Sequence, residues 1–346
     1  MTIRETFMAE AAKRILIKDG PYGTQIQNRK LTEADYRGDT KLNRDQKGNN
    51  DLVNLTRPDV IEEIANAYVD AGAVILATNT FNANRISQAD YGAEALVDDI
   101  NQAAAKALRH VVDSRDDGMP RFVCGAVGPT NKTLSISPNV NDPGHRDVDY
   151  DQMKDVYREQ IDALLAGGCD IILIETVFDT LNAKAAAMAA MEAGDALGKE
   201  VPLMLSLTLT DMAGRNLSGQ GIEAFWYSVR HTRPLTIGLN CSFGATELKP
   251  HVASLSKIAD IPVMAYPNAG LPNELGEYDE AAETTAKLVR AWAEEGLMNA
   301  IGGCCGTTPE HIRAIAEAVK DCPPRKIPDV QQKMRLAGLD PFTLAA

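Results

Sequence analysis

Positive charge is scarce in this sequence: 35 Lys and Arg stand against 48 Asp and Glu, a formal charge of -13 at pH 7. No basic stripe is left to neutralise phosphates, which argues against a nucleic-acid or anionic-membrane partner. No run of ~18 apolar residues occurs, so a membrane-spanning helix is not expected. Glu5, Glu10 and Lys13 interrupt the first fourteen residues, which lack the apolar stretch of a secretory signal; the expectation is a cytoplasmic protein. The six cysteines lack the tight spacing of a secreted disulfide scaffold and contain no Cys-x-x-Cys pair, which excludes a two-pair zinc knuckle and favours free thiols. No two of the five histidines stand at metal-ligand spacing, and His311 reads as part of a solvent-facing helix start. Internal repeats and low-complexity tracts are absent too.

What is present is an alternation of short apolar runs with longer segments of helical periodicity, from Ile15 to about Ala318. That pattern predicts repeated βα units around a parallel sheet. Eight runs qualify as strands: 15–18, 73–77, 122–127, 171–174, 203–208, 235–239, 262–266 and 298–302. Eight parallel strands close a (β/α)8 TIM barrel. A doubly wound open sheet is the alternative. Pro58 suits a first helical turn, with Val60, Ile61, Ile64 and Tyr68 on one face before Gly72. Thr308 and Pro309 predict a capped helix carrying Ile312, Ile315, Ala316 and Val319 inward. Two stretches, 25–56 and 130–149, read as long, functional loops. The barrel is expected over 1–322, with an extended tail at 323–346.

In a barrel the chemistry gathers at the C-terminal strand ends, and there the sequence offers Asp19, Asn79, Gly128, Glu175, Cys241, Asn268 and the pair Cys304-Cys305. Adjacent cysteines flanked by glycines, as in 302–306, rarely bond to each other and can both point at one metal ion. Zinc takes thiolates tetrahedrally, and a catalytic site keeps one position open. Cys241, after the sixth strand, supplies the third sulfur. The alternative for Cys304-Cys305 is a buried pair of small residues in a tight turn. Cys124, Cys169 and Cys322 read as packing or surface thiols. Glu175 and Asp19 follow apolar strands and, being buried, need partners; these are either the ammonium of an amino-acid substrate or a cap or salt bridge within the protein. Asn79 and Phe81 either line the same mouth or belong to an ordinary turn.

At these residues the chain resembles the homocysteine S-methyltransferase family, and most closely the homocysteine-binding module of cobalamin-dependent methionine synthase. The resemblance runs through Gly48-Asn49-Asn50-Asp51-Leu52, Thr78-Asn79-Thr80-Phe81-Asn82, Gly128-Pro129-Thr130-Asn131, Ile174-Glu175-Thr176, Gly238-Leu239-Asn240-Cys241, Pro267-Asn268-Ala269-Gly270 and Gly302-Gly303-Cys304-Cys305-Gly306. It implies a (β/α)8 barrel, zinc on Cys241, Cys304 and Cys305, and homocysteine as the substrate whose sulfur joins the zinc and is methylated to methionine. It places Asp19 and Glu175 at the amino-acid end of the substrate, and Gly20, Asn79, Phe81 and Asn240 among the substrate contacts. The first turn departs from the family pattern, because Pro21 has no N–H to offer a carboxylate. No Asp-x-His-x-x-Gly cobalamin motif occurs, so methylcobalamin is expected on a separate corrinoid-binding partner. The alternatives are a self-sufficient enzyme using betaine or a sulfonium donor, and a non-catalytic zinc- or thiol-binding protein.

Overall fold

The structure, a computed structural model, describes residues 1–344. Its eight barrel strands are β1 (Leu16–Ile17), β2 (Ile75–Ala77), β3 (Phe122–Val127), β4 (Ile171–Val177), β5 (Leu203–Leu207), β6 (Thr236–Gly244), β7 (Val263–Asn268) and β8 (Ala300–Ile301). All neighbours pair in parallel, in the order β1-β8-β7-β6-β5-β4-β3-β2. Two backbone hydrogen bonds draw the ends together, from Val74 N–H to the Ile17 carbonyl at 2.8 Å and from Asp19 N–H to the Ile75 carbonyl at 2.9 Å. The expected eight-stranded barrel is thus the fold, and the open sheet is not.

Strand side chains alternate between two environments, as a period of two requires. Leu16, Phe122, Cys124, Ala126, Ile171, Leu173, Met264 and Tyr266 belong to the cluster inside the barrel. Ile17, Val123, Val127, Ile172, Ile174, Val263 and Ala265 face outward into the cluster shared with the helices. The helix Ile3–Ala11 seats Phe7 within the inner cluster, edge-on to Phe122 at 5.2 Å between ring centroids. Apolar filling therefore occupies the lower barrel, and continuing the alternation by one step puts the polar Lys18, Glu175, Asn240 and Asn268 above it, the first two reaching the mouth.

The helix Pro58–Asp70 buries Val60, Ile61, Ile64 and Tyr68 as its periodicity predicts, and Pro309–Val319 is capped by the Thr308 hydroxyl. His311, expected at the solvent, is buried instead. Its ring meets the Thr308 hydroxyl at 2.8 Å and the Glu280 carbonyl at 2.8 Å, satisfying both nitrogens, so a cap and a distant loop absorb it. The stretch 25–56 is also more ordered than a loop: Tyr22–Asn28, Glu33–Arg37, Asn50–Leu52 and Val53–Thr56 are helical turns. By contrast, 130–149 has no regular element before Asp149 caps the helix Tyr150–Ala166. The tail is fastened at Arg325, whose buried guanidinium donates to the carbonyls of Ser256, Ala259 and Ile261. Beyond it, β9 (Arg335–Ala337) and β10 (Pro341–Thr343) form a hairpin, a departure from a purely extended tail. Among the described residues no helix is long and apolar enough to cross a membrane.

Candidate metal and substrate site

Cys304 and Cys305 follow β8 in a turn pinned on two sides. Cys304 N–H donates to the Pro267 carbonyl at 2.8 Å, and the Cys305 carbonyl accepts Ala269 N–H at 2.9 Å, so the turn is laced to the end of β7. The preceding glycines are there for space. A Cβ on Gly302 would lie 2.7 Å from the Lys18 Cβ, and one on Gly303 2.2 Å from the Thr307 side chain. Tyr68 adds a tie from outside, its hydroxyl donating to the Pro21 carbonyl at 3.1 Å and lying 3.4 Å from that of Thr307.

Cys241 reaches the same place through an irregular strand end. Between Asn240 and Gly244 the pairing of β6 with β7 shifts register, and Cys241 and Ser242 take left-handed backbone angles, φ 60° and 63°. Such bulges re-aim side chains, and non-glycine residues held at positive φ are characteristic of functional sites. β4 has its own register shift between Ile174 and Val177, where Thr176 has φ 58°. One buried side chain joins the two irregularities. The Asn240 carbonyl oxygen accepts Thr176 N–H at 3.1 Å and the Ser206 hydroxyl at 2.6 Å. Its amide donates to the Thr176 hydroxyl at 2.8 Å and lies 3.9 Å from Cys304 Sγ.

The sulfurs of Cys241, Cys304 and Cys305 all lie within 4.8 Å of one another, the one group of three metal-capable side chains among the described residues. Cys241 Sγ and Cys305 Sγ are 3.8 Å apart. Tetrahedral zinc with Zn–S bonds of about 2.3 Å separates its ligand sulfurs by about 3.8 Å, so the donor set fits the ion in both chemistry and spacing. Hydrogen bonds from Cys241 and Cys304 pull the Cys305 thiol down to about 3, while the contacts with Cys241 and Cys305 push Cys304 up. The three thiols are close enough that a negative charge on one is held by hydrogen bonds from the others. Cys124, Cys169 and Cys322 are buried and unpaired, consistent with packing.

The three cysteines line a cavity of about 1030 Å³ at the barrel mouth, together with Lys18, Gly20, Asn79, Phe81, Glu175 and Tyr266. Glu175 points into it and accepts the Tyr266 hydroxyl at 3.0 Å; burial pushes its pKa up, opposed by the Lys18 charge and the tyrosine bond. Asn79 is held at the wall by its amide bond to the Asn50 carbonyl at 2.7 Å. Asp19 and Asn240, both expected at the substrate, are buried and are not among the residues that line the cavity. The Asp19 carboxylate is fully buried, with one oxygen 2.8 Å from Lys18 Nζ and the other accepting Ala77 N–H at 2.8 Å, the internal salt bridge rather than a free anion. Sequence reasoning passed over Lys18, Tyr266 and Tyr278, the last standing beside Cys305. For Lys18 a signal existed: a cation inside an apolar strand, two residues after the inward Leu16.

Comparison with known proteins agrees with this geometry. The barrel resembles homocysteine methyltransferase MmuM from Escherichia coli. Its metallated form is 21% identical, with a TM-score of 0.68, covering 88% of this chain and 96% of that one. The oxidized form is 20% identical, with a TM-score of 0.68 and coverage of 88% and 95%. The apo form is 20% identical, with a TM-score of 0.63 and coverage of 88% and 96%. These likenesses concern the fold. The model of the homocysteine S-methyltransferase family matches residues 16–319, from β1 through the last barrel helix, and so takes in every cysteine of the triad. The chain belongs to the homocysteine S-methyltransferase family.

Proposed function

We propose that this protein methylates the sulfur of homocysteine to form methionine, with Cys241, Cys304 and Cys305 holding zinc beside the substrate thiol. The observation that carries the reading is the close placement of three cysteine sulfurs at the wall of a cavity that also presents the Glu175 carboxylate. Zinc, when bound, would keep a coordinated substrate thiol deprotonated near neutral pH. Glu175, oriented by the Tyr266 hydroxyl, takes the substrate ammonium. Gly20, Asn79 and Phe81 border the same space, whereas Asn240 and Asp19 do not line it and act by positioning Cys304, Thr176 and Lys18. In the transfer, the substrate sulfur lone pair forms the new S–C bond. The donor's bond to methyl breaks and leaves its electron pair with the donor, and the thiol proton goes to solvent.

The donor we assign is methylcobalamin carried by a separate corrinoid-binding protein. Two observations support a bulky donor: the motifs resemble the homocysteine-binding module of cobalamin-dependent methionine synthase, and the cavity of about 1030 Å³ lies at the upper end of the range used for drug-sized ligands. A single homocysteine leaves much of that space free. The test is methionine formation by zinc-loaded protein with free methylcobalamin, a corrinoid protein, betaine and a sulfonium donor compared side by side. Turnover with betaine or the sulfonium and none with either corrinoid would overturn the donor assignment. X-ray absorption reporting nitrogen and oxygen ligands in place of three protein sulfurs would overturn the zinc site, and zinc and thiol binding without turnover under any donor would leave only a binding protein.

A further inference from the structure

Homocysteine is a zwitterion at its amino-acid end, so a site that recognises it as proposed must satisfy a carboxylate as well as an ammonium group. Glu175 answers only the ammonium. The turn after β1 is a poor carboxylate binder at Pro21, which has no N–H. Among the described residues that line the cavity, the cationic side chains are Lys18 and Lys30, and Lys30 is exposed at the rim. Lys18 differs in every respect. It is 3% exposed, its Nζ lies 2.8 Å from Asp19 Oδ1, and it stands over the Tyr266 ring at 4.7 Å from the centroid.

Tyr266 therefore has a cation on its face and the Glu175 carboxylate on its hydroxyl, 3.0 Å away. The cavity wall presents a positive group at the face and a negative group at the hydroxyl of one phenol ring, one for each of the two charges that an α-amino acid carries on one carbon. An ammonium has three donors, and the salt bridge with Asp19 uses one. Resting on the proposed function, we infer that Lys18 binds the α-carboxylate of the substrate and makes the site selective for amino-acid thiols over simple aminothiols. Asp19 then holds the lysine in place, and its bond to Ala77 N–H fixes that anchor to β2.

A purely structural Lys18, serving only to neutralise Asp19, makes a different prediction, and substrate trimming separates the two. The dissociation constants of homocysteine and 3-aminopropane-1-thiol, which lacks only the carboxylate, are measured calorimetrically on the zinc-loaded protein, its Lys18→Met variant and the Lys18→Met, Asp19→Asn double variant. The double variant removes both members of the buried pair, so no lone charge is left to unfold the barrel. Truncating one member of a buried charge pair is expected to cost about 30-fold or more in affinity. Wild-type protein should prefer homocysteine by about that factor. Both variants should lose the preference by binding homocysteine more weakly while holding the trimmed thiol nearly as before. An undiminished preference in the double variant, or no preference in the wild type, would overturn the assignment of Lys18. Failure of the zinc-loaded wild type to bind either thiol would instead overturn the functional reading on which it rests.

Discussion

Asn240 is the residue whose removal ought to disturb the most for the least change in size. Asn240→Ala deletes an amide that is 1% exposed and joined to Thr176 by both its ends, to the Ser206 hydroxyl and, at 3.9 Å, to Cys304 Sγ. The Thr176 N–H loses its acceptor, and a buried unsatisfied group of this kind costs about 1–3 kcal/mol. The fully buried Ser206 hydroxyl can turn toward another acceptor, so it adds less, and the small void adds about 1 kcal/mol. The expected loss of stability is about 3 kcal/mol. There is a second consequence at the site itself. Thr176 is held at φ 58° and follows Glu175, so relaxing the bulge shifts the carboxylate as well as releasing Cys304. Zinc affinity should fall about 10–100-fold, as it does when outer-shell partners of metal ligands are removed. Urea unfolding of the metal-free protein and competition with a chromophoric chelator read the two effects separately. Unchanged unfolding and unchanged zinc affinity together would refute the idea that Asn240 clamps the two bulges to the cysteine turn.

Other outcomes follow from the same geometry. Cys304→Ala should lower zinc affinity by more than the about 100-fold ceiling typical of outer-shell partners, whereas Cys322→Ala, buried in the turn after the helix Pro309–Val319 and outside the sulfur cluster, should leave it within about threefold; chelator competition decides, and equal losses would point to general damage. Glu175→Gln keeps the shape but removes the charge facing the substrate, so homocysteine should bind about 30-fold or more weakly by calorimetry with zinc content unaltered; unaltered homocysteine affinity would assign Glu175 to the protein interior alone. Asp51 is buried with its carboxylate on the Asn82 N–H at 2.9 Å, and burial pushes its pKa up to about 7. The folded state holds this proton more tightly than the unfolded chain, so the stabilisation is complete below about pH 4 and is lost as pH rises through about 7. Asp51→Asn should flatten that stretch of the stability profile in denaturant titrations at pH 4 to 8, and a profile as steep as wild type would show that the carboxyl does not titrate this way.

The eight strands and the Cys304-Cys305 turn were legible in the sequence because their signals are local. Apolar runs of strand length, helices opened by Pro58 and Pro309, and glycines before paired cysteines each act over a few neighbouring residues. Cys241 was legible as soon as eight strands implied a single mouth. What the tertiary structure decided is where polar side chains find partners far away in the chain. The amide of Asn240 meets Thr176, 64 residues away, and the second oxygen of Asp19 meets the Ala77 amide, 58 residues away, partners that the spacing of these two candidate substrate contacts does not disclose. His311 was drawn inward by the carbonyl of Glu280, and Lys18 became a cation of the cavity wall only when Tyr266 and Glu175 were set beside it. The physical reason is common to all four. A polar group settles where its hydrogen bonds and charge are satisfied out of water, and inside a barrel those partners come from other strands and loops, which adjacency in the chain does not reveal.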